Sequence, residues 1–451
     1  MRVAQATFEA PPLQHRLVTW LVQVPLLFYA AHGSFSLFSL NGADAVGGSI
    51  ALDTYSDGGP TRIIVYGSTL LAILLMLPLA TNAFTLFARN RYVAAVVVFA
   101  TVSVLWSQQP TDTIQKDVYL IVTTCFALFL VERFPPRQLM QVFMITGSLT
   151  MVISLFLAVA LPRYGIYTGR EDSTSGWQGI YSHKNMLGIM TVYFLAPAFF
   201  LPVDKLKAKF WRICYIGAGV FLIAMSRSRG AWIMCACLMA FAVAIRLGKQ
   251  MKPRERVAAG WALLVAFVLG GFGIWAILPM LLQFLGKDMT LTGRTAIWSA
   301  LLTSFAKRPW LGYGYSAFWE GTRGESANAI YAIKWARLSY AENGVLELAL
   351  EIGAVGVILY LLAYLQSFRR LGRLFSSTSD RPELFWYAST LFLAVITNIE
   401  AGSIASPNSM EWLVFVIMAG GIQKAYLEVH QPEAARGRFS VNARLIRSGT
   451  V

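Results

Sequence analysis

The sequence predicts an all-α, polytopic membrane protein of about twelve transmembrane helices, with one large loop between the ninth and the tenth. Three observations lead there. Of the 451 residues, 56% are apolar and only 14% charged, far below the roughly 25% charged of a soluble domain, and the mean hydropathy is +0.56. Apolar runs of about 20 residues, the length a helix needs to cross hydrocarbon, recur along the chain. Lys and Arg punctuate those runs instead of clustering on one soluble face, so topology explains the net charge of +15 better than nucleic acid does.

Taken in order, the spans read as 17–40, 62–86, 91–107, 117–131, 138–161, 184–201, 211–226, 230–246, 257–279, 344–368, 384–400 and 408–427. The first follows Arg16 but lacks a small-residue cleavage site and precedes many more runs, so it reads as a transmembrane helix and not as a removed signal peptide. With both termini in the cytoplasm, the inner segments hold 24 of the 38 basic residues and 8 of the 23 acidic ones. That asymmetry sets the orientation by the positive-inside rule. It turns the interval Lys287–Gly353 outward, where there is no ATP or nucleotide sugar. The chain then divides into spans one to nine (1–279), an outer loop with short amphipathic helices (280–343), spans ten to twelve (344–427) and a basic cytoplasmic tail (428–451), read as disordered and lying on anionic lipid.

Inside the loop, Ile297, Leu301, Leu302 and Phe305 fall at helical spacing and predict a helix from Arg294 to Phe305, stopped by Pro309. A second amphipathic piece is expected over Ala327–Leu338. Between them, the run from Pro309 to Trp319 is too rich in Gly and aromatics for a regular helix. It reads as an extended or turning segment that either forms an interfacial aromatic belt or offers Trp310, Tyr313 and Tyr315 to a substrate. Cys125, Cys214, Cys235 and Cys237 all lie in apolar segments with no ligand at metal spacing, so they read as small core hydrophobes.

Chemistry-bearing residues gather at the outer ends of the spans. Tyr181-Ser182-His183-Lys184-Asn185 opens span six, Ser226-Arg227-Ser228-Arg229-Gly230 joins spans seven and eight, Thr292-Gly293-Arg294 begins the loop, and Ala341-Glu342-Asn343-Gly344 begins span ten. The turn at Arg227 and Arg229 is so short that both guanidinium groups must sit near the membrane surface, where either they bind an anion or they snorkel to lipid phosphates. Arg229, at a helix start, suits an anion best, because a planar fork of donors and the helix N-terminus favour the same oxygens. Two residues apart on one helix, the arginines would face opposite sides unless Gly230 breaks the helix. Lys184 and Arg294 add positive charge, either as ligand contacts or as interfacial anchors. Glu342 could accept a proton from a hydroxyl, or simply complement the helix dipole, and Asn343 is placed to cap span ten. Glu347 and Glu351, four apart on the same helix, need a basic partner or a watery cavity.

With those motifs laid out, the chain resembles the O-antigen ligase and polymerase superfamily of the WaaL and Wzy type, and most closely its ExoQ-type exopolysaccharide polymerases. The resemblance rests on the Tyr181–Gly188 run, the Ser226–Trp232 turn, Thr292–Trp298, Pro309–Gly314, and Asn343 followed by Leu346-Glu347 and Glu351-Ile352-Gly353. It implies a GT-C-like, metal-independent, inverting glycosyltransferase of the bacterial inner membrane with no cofactor. Its donor would be a polyprenyl-diphosphate-linked glycan on the periplasmic face, membrane lipid its surroundings and a chain-length regulator a possible partner. On this analogy Arg229 and Arg294 neutralise the diphosphate and Glu342 acts as base, while Arg227, Lys184, His183, Asn185, Asn343, Trp310, Tyr313 and Tyr315 contact substrate. One departure is plain: ligases of the family usually carry His at the position of Glu342, which leaves His183 as a second candidate base. Two alternatives stay open, a ligase that transfers the glycan to lipid A-core or another acceptor, and a polysaccharide transporter or flippase.

Overall fold

The computed structural model describes residues 13–33, 35–36, 60–168, 175–248, 294–321, 323–333, 340–377, 381–400 and 404–430, with scattered positions between 251 and 270. Its helices are α1 (Leu13–Leu21), α2 (Gln23–Ala30), α3 (Pro60–Met76), α4 (Ala80–Arg89), α5 (Arg91–Val102), α6 (Pro110–Arg133), α7 (Pro136–Ala160), α8 (Lys184–Phe200), α9 (Leu206–Ser226), α10 (Arg229–Leu247), α11 (Arg294–Lys307), α12 (Gly324–Ile333), α13 (Gly344–Ser377), α14 (Pro382–Glu400) and α15 (Met410–His430). The strands β1 (Ile166–Tyr167) and β2 (Gly176–Trp177) form a minimal antiparallel ribbon between α7 and α8. The fold is therefore all-α, and seven helices of the described part are long and apolar enough to cross a membrane. Most of the expected ninth span, and the tail beyond His430, lie outside the described residues.

Burial follows from position in the bundle. Helix α15 is the most enclosed of the seven and packs against α6, α13 and α14, whereas α9 and the Arg62–Arg89 stretch expose most of their apolar surface. Gly420 and Gly421 make this possible, since a Cβ on Gly421 would press on the Tyr387 hydroxyl and one on Gly420 would meet Leu128. Small residues at helix crossings serve that purpose in hydrocarbon. Several polar groups in the interior are matched in pairs: Trp412 Nε1 donates to Thr124 (2.8 Å), Thr146 to Gln23 (2.7 Å), Asn398 to Tyr360 (3.1 Å), and the hydroxyls of Tyr193 and Thr397 are hydrogen-bonded (3.0 Å). Unpaired, each would cost several kcal/mol on the order of a lost hydrogen bond in lipid.

Helix α6 begins at Pro110, seven residues before the span that hydropathy assigns to it. Asp112, Lys116 and Asp117 hide those two turns from an apolar count, although Asp117 is buried. Lys116 and Asp117 therefore sit inside the helix, at its first turns.

Helix α13 is broken. Ile352 (φ −124°, ψ 21°) and Gly353 (φ 67°, ψ −174°) leave the helical region, and the run Pro309–Gly314 threads the gap. Tyr313 N–H donates to Leu350 O (2.9 Å) and Gly314 N–H to Glu351 O (2.8 Å), while Ala354 N–H and Val355 N–H donate to the carbonyls of Pro309 (2.8 Å) and Trp310 (3.3 Å). The orphan carbonyls and amides that a helix break creates are thus met by a strap of loop backbone. On its other side the strap and the two residues after it are held by the segment leading into α6 and by its first turns: Trp106 Nε1 donates to Leu311 O (2.9 Å), Gln108 N–H to Tyr313 O (2.9 Å), Thr113 Oγ1 to Tyr315 O (3.0 Å) and Lys116 Nζ to Ser316 O (2.8 Å). Gly353 has no room for a Cβ, which would run into the Trp310 carbonyl.

Above the strap, α11 and α12 pack on each other over Ile297, Leu301, Tyr313, Phe318, Ala329 and Ile330. Lys307 Nζ meets Glu325 Oε1 at 2.6 Å and Ser304 Oγ meets it at 3.0 Å. Burial alone would lift the Glu325 carboxyl, but those bonds and one from Asn328 outweigh it and hold the group below its usual range. Burial, helped by nearby Glu325 and opposed by Arg308, pushes the Tyr313 hydroxyl up to about 12.

Candidate active site

The motif residues come together at one end of the bundle in two groups. The first is the junction of α8 with the α9–α10 turn. His183 is the N-cap of α8, its Nδ1 accepting from Asn185 N–H (3.2 Å), and its ring stands edge-on to Tyr167 at 4.5 Å. Lys184 follows, nearly fully buried, with Nζ 5.8 Å from the centre of the same Tyr167 ring. Gly188 brings α8 against the turn, because a Cβ there would touch Ala231 and the Ser226 hydroxyl.

The turn itself is built by its serines. Ser226 Oγ accepts from Ser228 N–H (3.3 Å) and donates to Ile223 O (2.7 Å), and Ser228 caps α10 by accepting from Ala231 N–H (3.4 Å). The chain reverses at Arg227, which takes a left-handed conformation (φ 52°), and not at Gly230, which lies within α10. Of the two alternatives the sequence left open, a break therefore occurs, but at Arg227 and not at Gly230: two hydroxyl caps satisfy the ends on either side of Arg227. Both arginines are exposed; Arg227 Nη1 donates to Ser175 O (3.3 Å), and Arg229 is the first residue of α10. Exposed guanidinium at a helix N-terminus is an anion-attracting arrangement.

The second group is the mouth of α13. Asn343 Oδ1 accepts from Val345 N–H and Leu346 N–H (both 3.0 Å), a full N-cap. Glu342, just before it, is half-buried and left-handed (φ 52°). Its neighbour Ala341 is gripped on both sides, with Trp298 Nε1 donating to the carbonyl (3.0 Å) and Glu347 Oε2 accepting from the N–H (2.6 Å). Trp298 stands one turn after Arg294, which opens α11, so the helix that Arg294 begins is tied to the residue before Glu342. The Arg294 side chain lies outside the described residues.

Contacts between turns hold the two groups at the same end. Ser36, just after α2, donates its hydroxyl to Gly179 O (2.7 Å) and its N–H to Ile180 O (3.0 Å). His32 Nε2 lies 2.7 Å from Glu411 Oε2 at the start of α15, and Tyr315 OH donates to Ala405 O at 2.5 Å. Gly344 packs against Asn398 and Ile404.

The aromatic run behaves otherwise. Tyr313 and Tyr315 are buried with their hydroxyls spent on the carbonyls of Ser304 (2.7 Å) and Ala405, so they hold the strap in place and present no ring face outward. Trp310 alone of the three is exposed, at 66%. Sequence reasoning missed Trp298, Trp319, Lys116 and the grip on Ala341. Trp319 Nε1 donates to Glu347 Oε1 (2.6 Å), and Lys116 lies within electrostatic reach of Glu347 and Glu351, which gives those two carboxylates the basic neighbour their position demands.

Comparison with known proteins agrees with this layout. Residues 214–361, which hold Arg227, Arg229, Arg294 and Glu342, match the Wzy_C family model, described as O-antigen ligase. The chain is also similar to the exopolysaccharide production protein ExoQ of Rhizobium meliloti (strain 1021), 25% identical over 333 residues that cover 70% of this chain and 73% of that protein. Both matches support the likeness of this all-α membrane protein to the O-antigen ligase and polymerase superfamily and to its ExoQ-type members.

Proposed function

We propose that the chain is a glycosyltransferase that polymerises polyprenyl-diphosphate-linked oligosaccharide repeat units into exopolysaccharide on the periplasmic face of the inner membrane. The observation that carries this reading is the Trp298–Ala341 hydrogen bond, which couples the helix begun by Arg294 to the mouth of α13 where Glu342 stands. The similarity to ExoQ, an exopolysaccharide production protein by name, supports polymer as the product.

In the proposed reaction an acceptor hydroxyl attacks the anomeric carbon of the lipid-linked glycan. Glu342 takes the hydroxyl proton, a new carbon–oxygen bond forms with inversion, and the bond to the diphosphate breaks. Negative charge grows on the departing diphosphate, and Arg229 and Arg294 meet it there, with Lys184 and Arg227 adding to the local positive field. Guanidinium groups fulfil the role that a divalent cation fills in other phosphate-leaving reactions, so turnover should survive EDTA. A loss of turnover that added magnesium restores would overturn that part.

Arg229→Ala or Arg294→Ala should leave the protein in the membrane but yield only single-repeat product on a gel; polymer of normal length from both would sink the proposal. A ligase is the second reading, favoured by the description of the matching family. It predicts that purified protein given one labelled lipid-linked repeat unit alone makes nothing larger.

A further inference from the structure

Glu342 is held in a left-handed conformation that a non-glycine residue rarely adopts and that its surroundings must over-determine. What over-determines it is the Ala341 peptide, with Trp298 of α11 on its carbonyl and Glu347 of α13 on its amide. Glu347 does more than hold that amide. It is 5% exposed, and its other oxygen accepts from the Trp319 indole at the end of the aromatic run. One carboxylate therefore joins the mouth of the membrane helix, the peptide before Glu342 and the strap. Both its oxygens are occupied by N–H donors at 2.6 Å, which leaves it unsuited to take a proton from substrate and well suited to fix geometry.

We propose that Glu347 is a positioning residue for the reaction inferred above: by clamping the Ala341 peptide and the Trp319 ring it sets the direction of the Glu342 carboxylate. The inference rests on the glycosyltransferase reading for its kinetic consequence, and on geometry alone for the clamp. A glutamine at 347 has one acceptor oxygen and turns an NH2 group against the second donor, so one of the two bonds must fail. Removing the competing donor from Trp319 then lets the single oxygen serve the Ala341 amide again.

The test uses full-length protein in lipid nanodiscs, turning over a polyprenyl-diphosphate-linked repeat unit. Glu347→Gln should lower kcat by about 100-fold, the scale of a misplacement near 1 Å, with the donor KM within twofold of wild type. Trp319→Phe combined with Glu347→Gln should recover at least about tenfold of that loss, a non-additivity that a packing defect does not produce. Trp298→Phe, which releases the same peptide from the other side and leaves α13 untouched, should lower kcat at constant KM as well. Hydrogen–deuterium exchange at the Ala341 amide reads the clamp without turnover and should quicken at least about tenfold in Glu347→Gln. If wild type makes no product, the glycosyltransferase reading fails and exchange alone judges the clamp. Wild-type exchange in Glu347→Gln, a double variant no faster than Glu347→Gln, or wild-type kcat in both Glu347→Gln and Trp298→Phe overturns the proposal.

Discussion

Glu342 and Arg229 differ in how their environments prepare them. Arg229 stands exposed at a helix start with its neighbour Arg227 turned by a left-handed backbone, so an anion can reach it from solvent. Glu342 is half-buried and conformationally forced. If it is the base, Glu342→Gln should cut kcat about 10²- to 10⁴-fold, the usual worth of a positioned proton acceptor. Glu342→His should restore part of that activity, with the acid limb of the pH–rate profile moved upward toward the ordinary imidazole value, about 6.5. An unmoved profile in the histidine variant would argue that the proton goes elsewhere, His183 being the next candidate. These residues were legible in the sequence because each stands beside a cap or turn residue in a short motif. Glu347 was legible only as a buried acid in need of a partner; its hold on Ala341, and the parts played by Trp298 and Trp319, were not, because the partners lie 6, 43 and 28 residues away and no local pattern announces them.

Among the elements, the strap and the broken helix hold each other. Gly353 sits at φ 67°, ψ −174°, a region open in practice only to glycine, with the Trp310 carbonyl against it. Gly353→Ala should therefore destabilise the protein by on the order of 3 kcal/mol, read as a lowered thermal midpoint in nanodiscs; an unchanged midpoint would mean the break is not strained as described. The α11–α12 pair carries a second, milder dependence. The Glu325 carboxyl is held below its usual value, so its contribution is present above about pH 4 and fades as pH falls through the lowered value. Acidification should loosen that pair, seen as faster amide exchange over 304–328, and Glu325→Gln should abolish the pH dependence there. The length of most helices was readable from apolar runs. The break in α13 was not, because Gly353 lies in an apolar stretch that reads as continuous, and only the loop backbone arriving from residues 309–314 explains it.

The whole molecule is a helical bundle in which the turns that carry the site residues share one end, with α15 enclosed and α9 largely uncovered. The charge pattern of the sequence predicts that this end faces away from the cytoplasm. Arg323→Cys, at an exposed loop position, should then react with a membrane-impermeant maleimide once the outer membrane of whole cells is permeabilised, without lysis of the inner one; labelling only after lysis would reverse the topology. Fold class was plain from the sequence, since only helices and closed barrels satisfy their backbone in hydrocarbon, and apolar runs of about 20 residues fit helices alone.

The threading of Pro309–Gly314 between two half-helices has a practical corollary for anyone building chimeras. Because Leu350, Glu351, Ala354 and Val355 complete their backbone bonding with that segment, and residues 103–116 complete its other edge, the extramembrane portion is not a detachable module. A graft that exchanges residues 294–340 between relatives should misassemble unless 103–116 and 350–355 travel with it.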